Sequence, residues 1–208
     1  MLLELFKKLS IKQKPRGYIG CSVIEHPCNR YIWFTKNEKV IIPFKQRRIF
    51  ERGILEEERI IKLIKETEEF SILNEQYFVS KYPLEGHIDA VIMSKEGFKY
   101  ILEIKTMNEM NFKRLIKLNC NLAFPNYYGQ CQCYMFLSNI HKAILIAVNK
   151  NTEEIYEELI EFNKYYAECL LCKAITIHQY ENLPEGLLNK KQSECYYCNF
   201  KEICYGEN

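Results

Sequence analysis

No run of about 18 consecutive apolar residues occurs anywhere in the 208-residue chain, so the sequence predicts no membrane-spanning helix. Residues 1–14 alternate apolar and basic positions without the apolar core of a signal peptide. They read as a short amphipathic helix, with a membrane-surface role as the lesser alternative, and the expected setting is the cytoplasm of a bacterial, archaeal or phage-infected cell. One-sided charge is also missing. The net charge is +2, so there is no global signal for a polyanion, and any nucleic-acid surface must be local. The 4 histidines, His26, His87, His141 and His178, form no ligand-spaced set, although His87 shares a strand face with Asp89. Internal repeats and low-complexity linkers are absent.

What is present is apolar and rich in cysteine. With 48% hydrophobic residues the chain can bury one sizeable core, which predicts one main domain. Ten cysteines without a secretory signal exceed what a cytosolic core needs. Disulfides are then not expected, and metal or cluster ligation is the better reading.

The most informative stretch runs from Gly86 to Thr106. Two segments rich in β-branched and aromatic residues flank Lys95-Glu96-Gly97, which predicts a hairpin with Gly97 in the left-handed conformation. Pairing Ser94 with Phe98 places Asp89 against Glu103, with Lys105 on the same face as Glu103. Facing Cβ atoms in such a ladder lie about 4.5–5.5 Å apart, and like charges there repel. Ile88, Ala90, Val91, Ile92, Ile101, Leu102 and Ile104 surround the pair, so an idle charge is costly. A divalent cation such as Mg²⁺ explains two carboxylates in that setting. A lysine beside it can stabilise a nucleophile or a developing negative charge.

Gly-His-Ile-Asp at 86–89 followed by Glu103-Ile104-Lys105 resembles the Asp…Glu-x-Lys core of the PD-(D/E)XK nuclease superfamily, in its RecB-like branch. Further motifs stand in matching order. A long helix is predicted over 46–70, with Phe50, Ile54, Ile61 and Ile64 as its apolar stripe. On it, RecB-like nucleases often carry Gly-x-x-x-His; here Glu57 takes the fourth place after Gly53, as in relatives that use Glu, and a carboxylate suits Mg²⁺ or Mn²⁺. Gly53 itself suggests either a close backbone or DNA approach or plain tolerance. After a strand over 76–81, the hairpin and a helix over 107–121, a helix over 127–137 carries Gln130 and Tyr134, four apart on one face. They match the Gln-x-x-x-Tyr motif, which implies hydrogen bonding near the metal for Gln130 and DNA-backbone contact for Tyr134. Lys113, Arg114 and Lys117 are candidate phosphate contacts, or else a solvated helix face. Residues 143–148 read as a strand and 151–172 as a helix. Cys131, Cys133, Cys169 and Cys172 read as packing residues.

Near the end, Cys195, Cys198 and Cys204 supply three thiolates, too few for tetrahedral closure alone. Cys28 is the candidate fourth ligand and Cys21 its rival. Four thiolates suit Zn²⁺ or a four-iron four-sulfur cluster, and spacing alone slightly favours zinc. Split ligation from both ends resembles the iron–sulfur members of the RecB-like group, the CRISPR-associated Cas-four exonucleases and the AddB-type nuclease domain. That resemblance implies the cluster; thiolate bonds joining Cys28 to Cys204 would close a long loop across the core, which predicts a structural role, with redox sensing as the alternative.

The expected fold is α/β: a central mixed β-sheet flanked by helices, like the RecB and lambda-exonuclease core, with a small iron–sulfur lobe formed by both termini. The whole chain, 1–208, is expected to be a single nuclease domain, with 40–180 as catalytic core and 18–35 plus 185–208 as the lobe. The resemblance implies Mg²⁺- or Mn²⁺-dependent hydrolysis of DNA, most often single-stranded ends degraded exonucleolytically, with endonuclease action at flaps or single strands as a variant. It assigns the metal to Asp89, Glu103, the Ile104 carbonyl and Glu57, with Lys105 on the attacking water. Two alternatives stand beside it: a processing subunit active only with CRISPR-adaptation or recombination partners, and a non-catalytic, cluster-stabilised DNA-binding module.

Overall fold

The computed structural model describes residues 1–187 and 193–206. In chain order its elements are α1 (Leu2–Lys7), β1 (Ile11–Gln13), β2 (Ile19–Gly20), α2 (Asn29–Asn37), β3 (Val40–Ile42), α3 (Phe44–Thr67), β4 (Phe70–Lys81) and β5 (Leu84–Ser94). There follow β6 (Lys99–Met107), α4 (Glu109–Ala123), α5 (Pro125–Ser138), β7 (Lys142–Asn149), β8 (Ile155–Glu161), α6 (Lys164–Gln179), α7 (Ser193–Tyr196) and α8 (Lys201–Tyr205). β1 and β3 form a small antiparallel ribbon. The other strands make one mixed sheet in the order β2-β5-β6-β7-β8, with β4 along the opposite edge of β5.

The hairpin of β5 and β6 has the predicted register, from Met93 opposite Lys99 back to Ala90 opposite Leu102. Gly97 is left-handed (φ 86°), and the Ser94 N–H donates to the Phe98 carbonyl. Pairing stops one residue before Asp89. At the other end of that same edge, β2 pairs in parallel with Leu84 and Glu85. Gly86–Asp89 therefore has no strand beside it on this edge, although β4 continues along the other. The sheet splits there.

Alternation along β6 divides the core. Leu102 and Ile104 join Ala90, Ile92, Ile146 and Val148 beneath Ile60 and Ile61 of α3. Ile101 packs with Leu115, Cys131, Met135 and Ala174 on the side covered by α4, α5 and α6. Each such buried side chain contributes about 1.5–3 kcal/mol.

Several boundaries differ from those the sequence predicts. The helix expected over 151–172 is a strand followed by a helix. Residues of β8 alternate in exposure and pair antiparallel with β7; Asn163 then caps α6 by accepting from the Tyr166 N–H. Glu157 and Glu161 of β8 face solvent on this edge strand, whereas Glu158 turns inward and accepts from the Cys120 N–H; at sequence level the run passes for a polar helix. The helix expected to reach Phe70 stops at Thr67 with Glu68 left-handed (φ 58°), and β4 begins at Phe70, earlier than Gln76. The N-terminal helix is confined to α1, because Ile11–Gln13 pair with β3. Phe50 and Ile54, expected in the core stripe, are 49% and 54% exposed. Cys169 and Cys172 are exposed on α6 rather than packed, whereas Cys131 and Cys133 are buried as expected. A Cβ at Gly53 would meet nothing within 4 Å, so no close approach within the protein requires that glycine.

Candidate active site and a cysteine-lined cavity

The split in the sheet brings the chemistry together. Beyond the last β5–β6 pair, the Ile104 N–H has no strand partner and donates to Asp89 Oδ2 at 2.7 Å. A carboxylate thus replaces a backbone carbonyl where the two strands part. Asp89 is 8% exposed and Glu103 fully buried. The Lys105 ammonium contacts Glu103 and lies 5.1 Å from the centre of the Tyr127 ring on α5. Apart from that ammonium, neither Glu103 oxygen receives a hydrogen bond. Glu57 reaches the group from α3, where Gln76 Nε2 donates to its Oε2 at 3.1 Å.

The electrostatics are those of crowded acids. Burial first, and then the neighbouring Asp89 charge, push Glu57 up to about 7. The same two causes raise Glu103, and burial raises Asp89 against the pull of Lys105. Burial alone would lower Lys105, but Glu103 and Asp89 outweigh it and hold the ammonium protonated well above its ordinary range. One cation faces three carboxylates. Such a set favours an added divalent cation, since one would relieve both the orphaned oxygens and the repulsion. Among the described residues no group of three or more His, Cys, Asp or Glu side chains is arranged so that it could hold a metal ion. Asp89 and Glu57 are instead held by Ile104 and Gln76.

Gln130 and Tyr134 are buried on α5, with Gln130 Nε2 donating to the Tyr134 hydroxyl at 2.9 Å. That hydroxyl donates to the His87 carbonyl at 2.6 Å, on the unpaired edge of β5. Tyr134 therefore supports the strand next to Asp89, and its ring lies so close to Gly86 that a Cβ there would come within 2.6 Å. Lys113, Arg114 and Lys117 lie on the exposed face of α4. Lys113 pairs with Glu109 at 2.6 Å and Arg114 stacks 5.5 Å from the Phe124 ring centre. Sequence reasoning missed Gln76 and Tyr127; both reach the site through tertiary approach and carry no local signal.

A second cluster forms where the ends of the chain meet. Cys28, at the start of α2, and Cys195, Cys198 and Cys204, in and between α7 and α8, line one cavity of about 350 Å³. Arg30 Nη1 lies 3.5 Å from Cys204 Sγ, and the Phe200 N–H lies 3.4 Å from Cys198 Sγ. Burial, and then the neighbouring Cys204, Cys28 and Cys195, push Cys198 up. Cys21, the rival, is in the main core against Gly86 and Cys133. Of the segment 185–208 assigned to this lobe, residues 188–192 and 207–208 lie outside the described residues.

No protein-family model and no curated protein sequence matches the chain. Solved structures do. An alkaline exonuclease (LHK-Exo) from Laribacter hongkongensis superposes with a TM-score of 0.58 at 13% identity, over 84% of this chain and 90% of that one. Its complex with dAMP gives 0.56 at 11% identity, over 77% and 86%. SSO0001 gives 0.57 at 18% identity, over 94% and 89%. These likenesses show the fold alone: a mixed α/β core with a central sheet flanked by helices, as expected from the sequence. Among the described residues no helix is long and apolar enough to cross a membrane.

Proposed function

We propose that the chain is a Mg²⁺- or Mn²⁺-dependent DNA nuclease of the PD-(D/E)XK type, acting as an exonuclease on single-stranded ends. The observation that carries this reading is Glu103, a fully buried carboxylate whose oxygens receive nothing but the Lys105 ammonium, beside Asp89 at the split in the sheet. Asp89, Glu103, Glu57 and the Ile104 carbonyl would hold the ion. A bound divalent ion supplies a Lewis acid and a water of lowered pKa. Lys105, kept protonated by its acidic neighbours, donates to the attacking water and orients it, and neutralises charge that develops on phosphate oxygens. Gln130 and Tyr134 hold the His87 carbonyl and so fix the strand on which Asp89 sits. DNA as substrate is supported by the fold shared with an exonuclease whose structure has been solved with dAMP.

The cysteine-lined cavity is assigned a four-iron four-sulfur cluster in a structural role. Its four thiols line one cavity of about 350 Å³, and four thiolates suit such a cluster, with one zinc ion as the alternative. The test is anaerobic purification with iron and sulfide assay, then degradation of end-labelled single-stranded DNA with Mn²⁺, beside Lys105→Ala. Brown protein whose activity disappears in the variant supports both assignments. Brown but inactive wild-type protein favours the partner-dependent reading, and colourless protein carrying one zinc overturns the cluster.

A further inference from the structure

Two clefts beside the carboxylates share a wall. The first, of about 550 Å³, lies between the β1–β3 ribbon, α2 and the start of α3, and is lined by Lys12, Lys14, Arg16 and Phe50 among others. The second, of about 230 Å³, lies on the unpaired edge of β5 against His87, Gln130 and Tyr134. Gln13 and Arg16 line both. A Cβ at Gly20 would come within 2.7 Å of Arg16 Nη1, so the guanidinium rests directly on that backbone, at the junction.

Neither cleft is lined by the carboxylates themselves, but each has a lining residue close to one of them along the chain. Phe50, half-exposed, precedes Glu57 by two turns on the same face of α3, about 10 Å along the axis. His87 is two residues from Asp89 on β5, about 7 Å away. The first cleft is one-sided in charge, with Lys12, Lys14 and Arg16 against Glu38, whereas the second carries Arg16 and Glu85. Among the described residues no carboxylate forms an ion pair with any of those three cations. The far wall is Asn199 and Phe200, and Asn199 Nδ2 is bonded to Gln46 of α3 at 3.2 Å.

We propose that one unpaired nucleic-acid strand lies along these two clefts. Its phosphates rest on Lys12, Lys14 and Arg16, a base stacks on Phe50, and its end passes His87 to reach Asp89 and Glu103. An aromatic face flanked by cations is the arrangement that binds single strands without reading sequence. The proposal rests on the nuclease reading and specifies the path of its substrate.

The test is fluorescence anisotropy of a labelled oligothymidylate with the full cluster-loaded chain in chelator, titrated with salt, and hydrolysis measured separately with Mn²⁺. Arg16→Ala is expected to weaken binding about tenfold and to lower the slope of log affinity against log salt by about 0.7, one phosphate contact on a single strand. Arg16→Lys restores that slope. Phe50→Ala weakens binding about tenfold with the slope unchanged, as loss of stacking does. Unchanged affinity and slope in Arg16→Ala overturn the proposal. So does equal affinity for a duplex, or displacement by polyglutamate at equal charge, which would make the clefts a site for acidic peptides. Arg16-dependent binding without hydrolysis by the wild-type chain keeps the path and overturns the reading of a nuclease active on its own; hydrolysis indifferent to Arg16 does the reverse.

Discussion

The carboxylate site and the cysteine-lined cavity are built in opposite ways. Asp89, Glu103 and Lys105 come from one hairpin, fixed by a short turn and by apolar neighbours on both sides, and the site lies inside the sheet. The cavity joins α2 to the far end of the chain, where α7 buries only Cys195, α8 buries nothing, and Phe200 packs against Tyr31 and Phe34. In the first, the fold holds groups that repel one another. In the second, the proposed cluster would join segments from the two ends of the chain. Loss of the first should therefore cost activity and spare stability, and loss of the second should do the converse.

Glu103→Gln gives the largest expected effect on one side of this contrast. The rate of hydrolysis of single-stranded DNA should fall about 10²–10³-fold. Thermal unfolding without metal at pH 8 should occur no lower than in wild type, because the variant removes one of three crowded buried acids. A clear fall in Tm would show that Glu103 is structural. Cys195→Ala tests the other side: iron content drops, Tm falls by about 10 °C or more, and residual hydrolysis persists at low temperature. An unchanged Tm would mean that the cavity holds nothing that matters to the fold.

Protons sharpen the same contrast. Glu57 sits near 7 in the folded chain against an ordinary 4.5, so between those values the folded state binds more protons than the unfolded one. Its contribution to stability is then lost as pH rises from about 4.5 through 7 in metal-free protein. A divalent cation competes with those protons, so Mg²⁺ should raise Tm more at pH 8 than at pH 5.5, as read by scanning calorimetry. Equal shifts at both pH values would place the ion elsewhere. The smallest expected effect is Gly53→Ala, whose added Cβ meets nothing. It should stabilise by about 1 kcal/mol in denaturant unfolding and leave hydrolysis unchanged.

What the sequence disclosed follows the same division between local and distant. The hairpin was legible because Gly97 dictates the turn and alternation then sets the register; Asp89 beside Glu103 follows from both. What alternation could not disclose is that pairing ends at Ala90, so that Asp89 bonds the Ile104 N–H instead of standing in the ladder. Phe50 and Ile54 have the spacing of a core stripe, and spacing is the same whether a face covers a core or borders a cleft. The Glu-rich β8 became a strand only because β7 offers it an edge. Gln76 beneath Glu57 and Arg16 over Gly20 depend on how distant segments meet. That Cys28 lines one cavity with Cys195, Cys198 and Cys204 accords with the resemblance to split ligation from both ends; no local pattern could have joined residues so far apart.

The most direct measurement is the rate at which Glu103→Gln, purified anaerobically with its full iron content, hydrolyses end-labelled single-stranded DNA in Mn²⁺. The account predicts a brown, folded protein that binds the strand and hydrolyses it at no more than about one hundredth of the wild-type rate. Hydrolysis at the wild-type rate by that protein would contradict it.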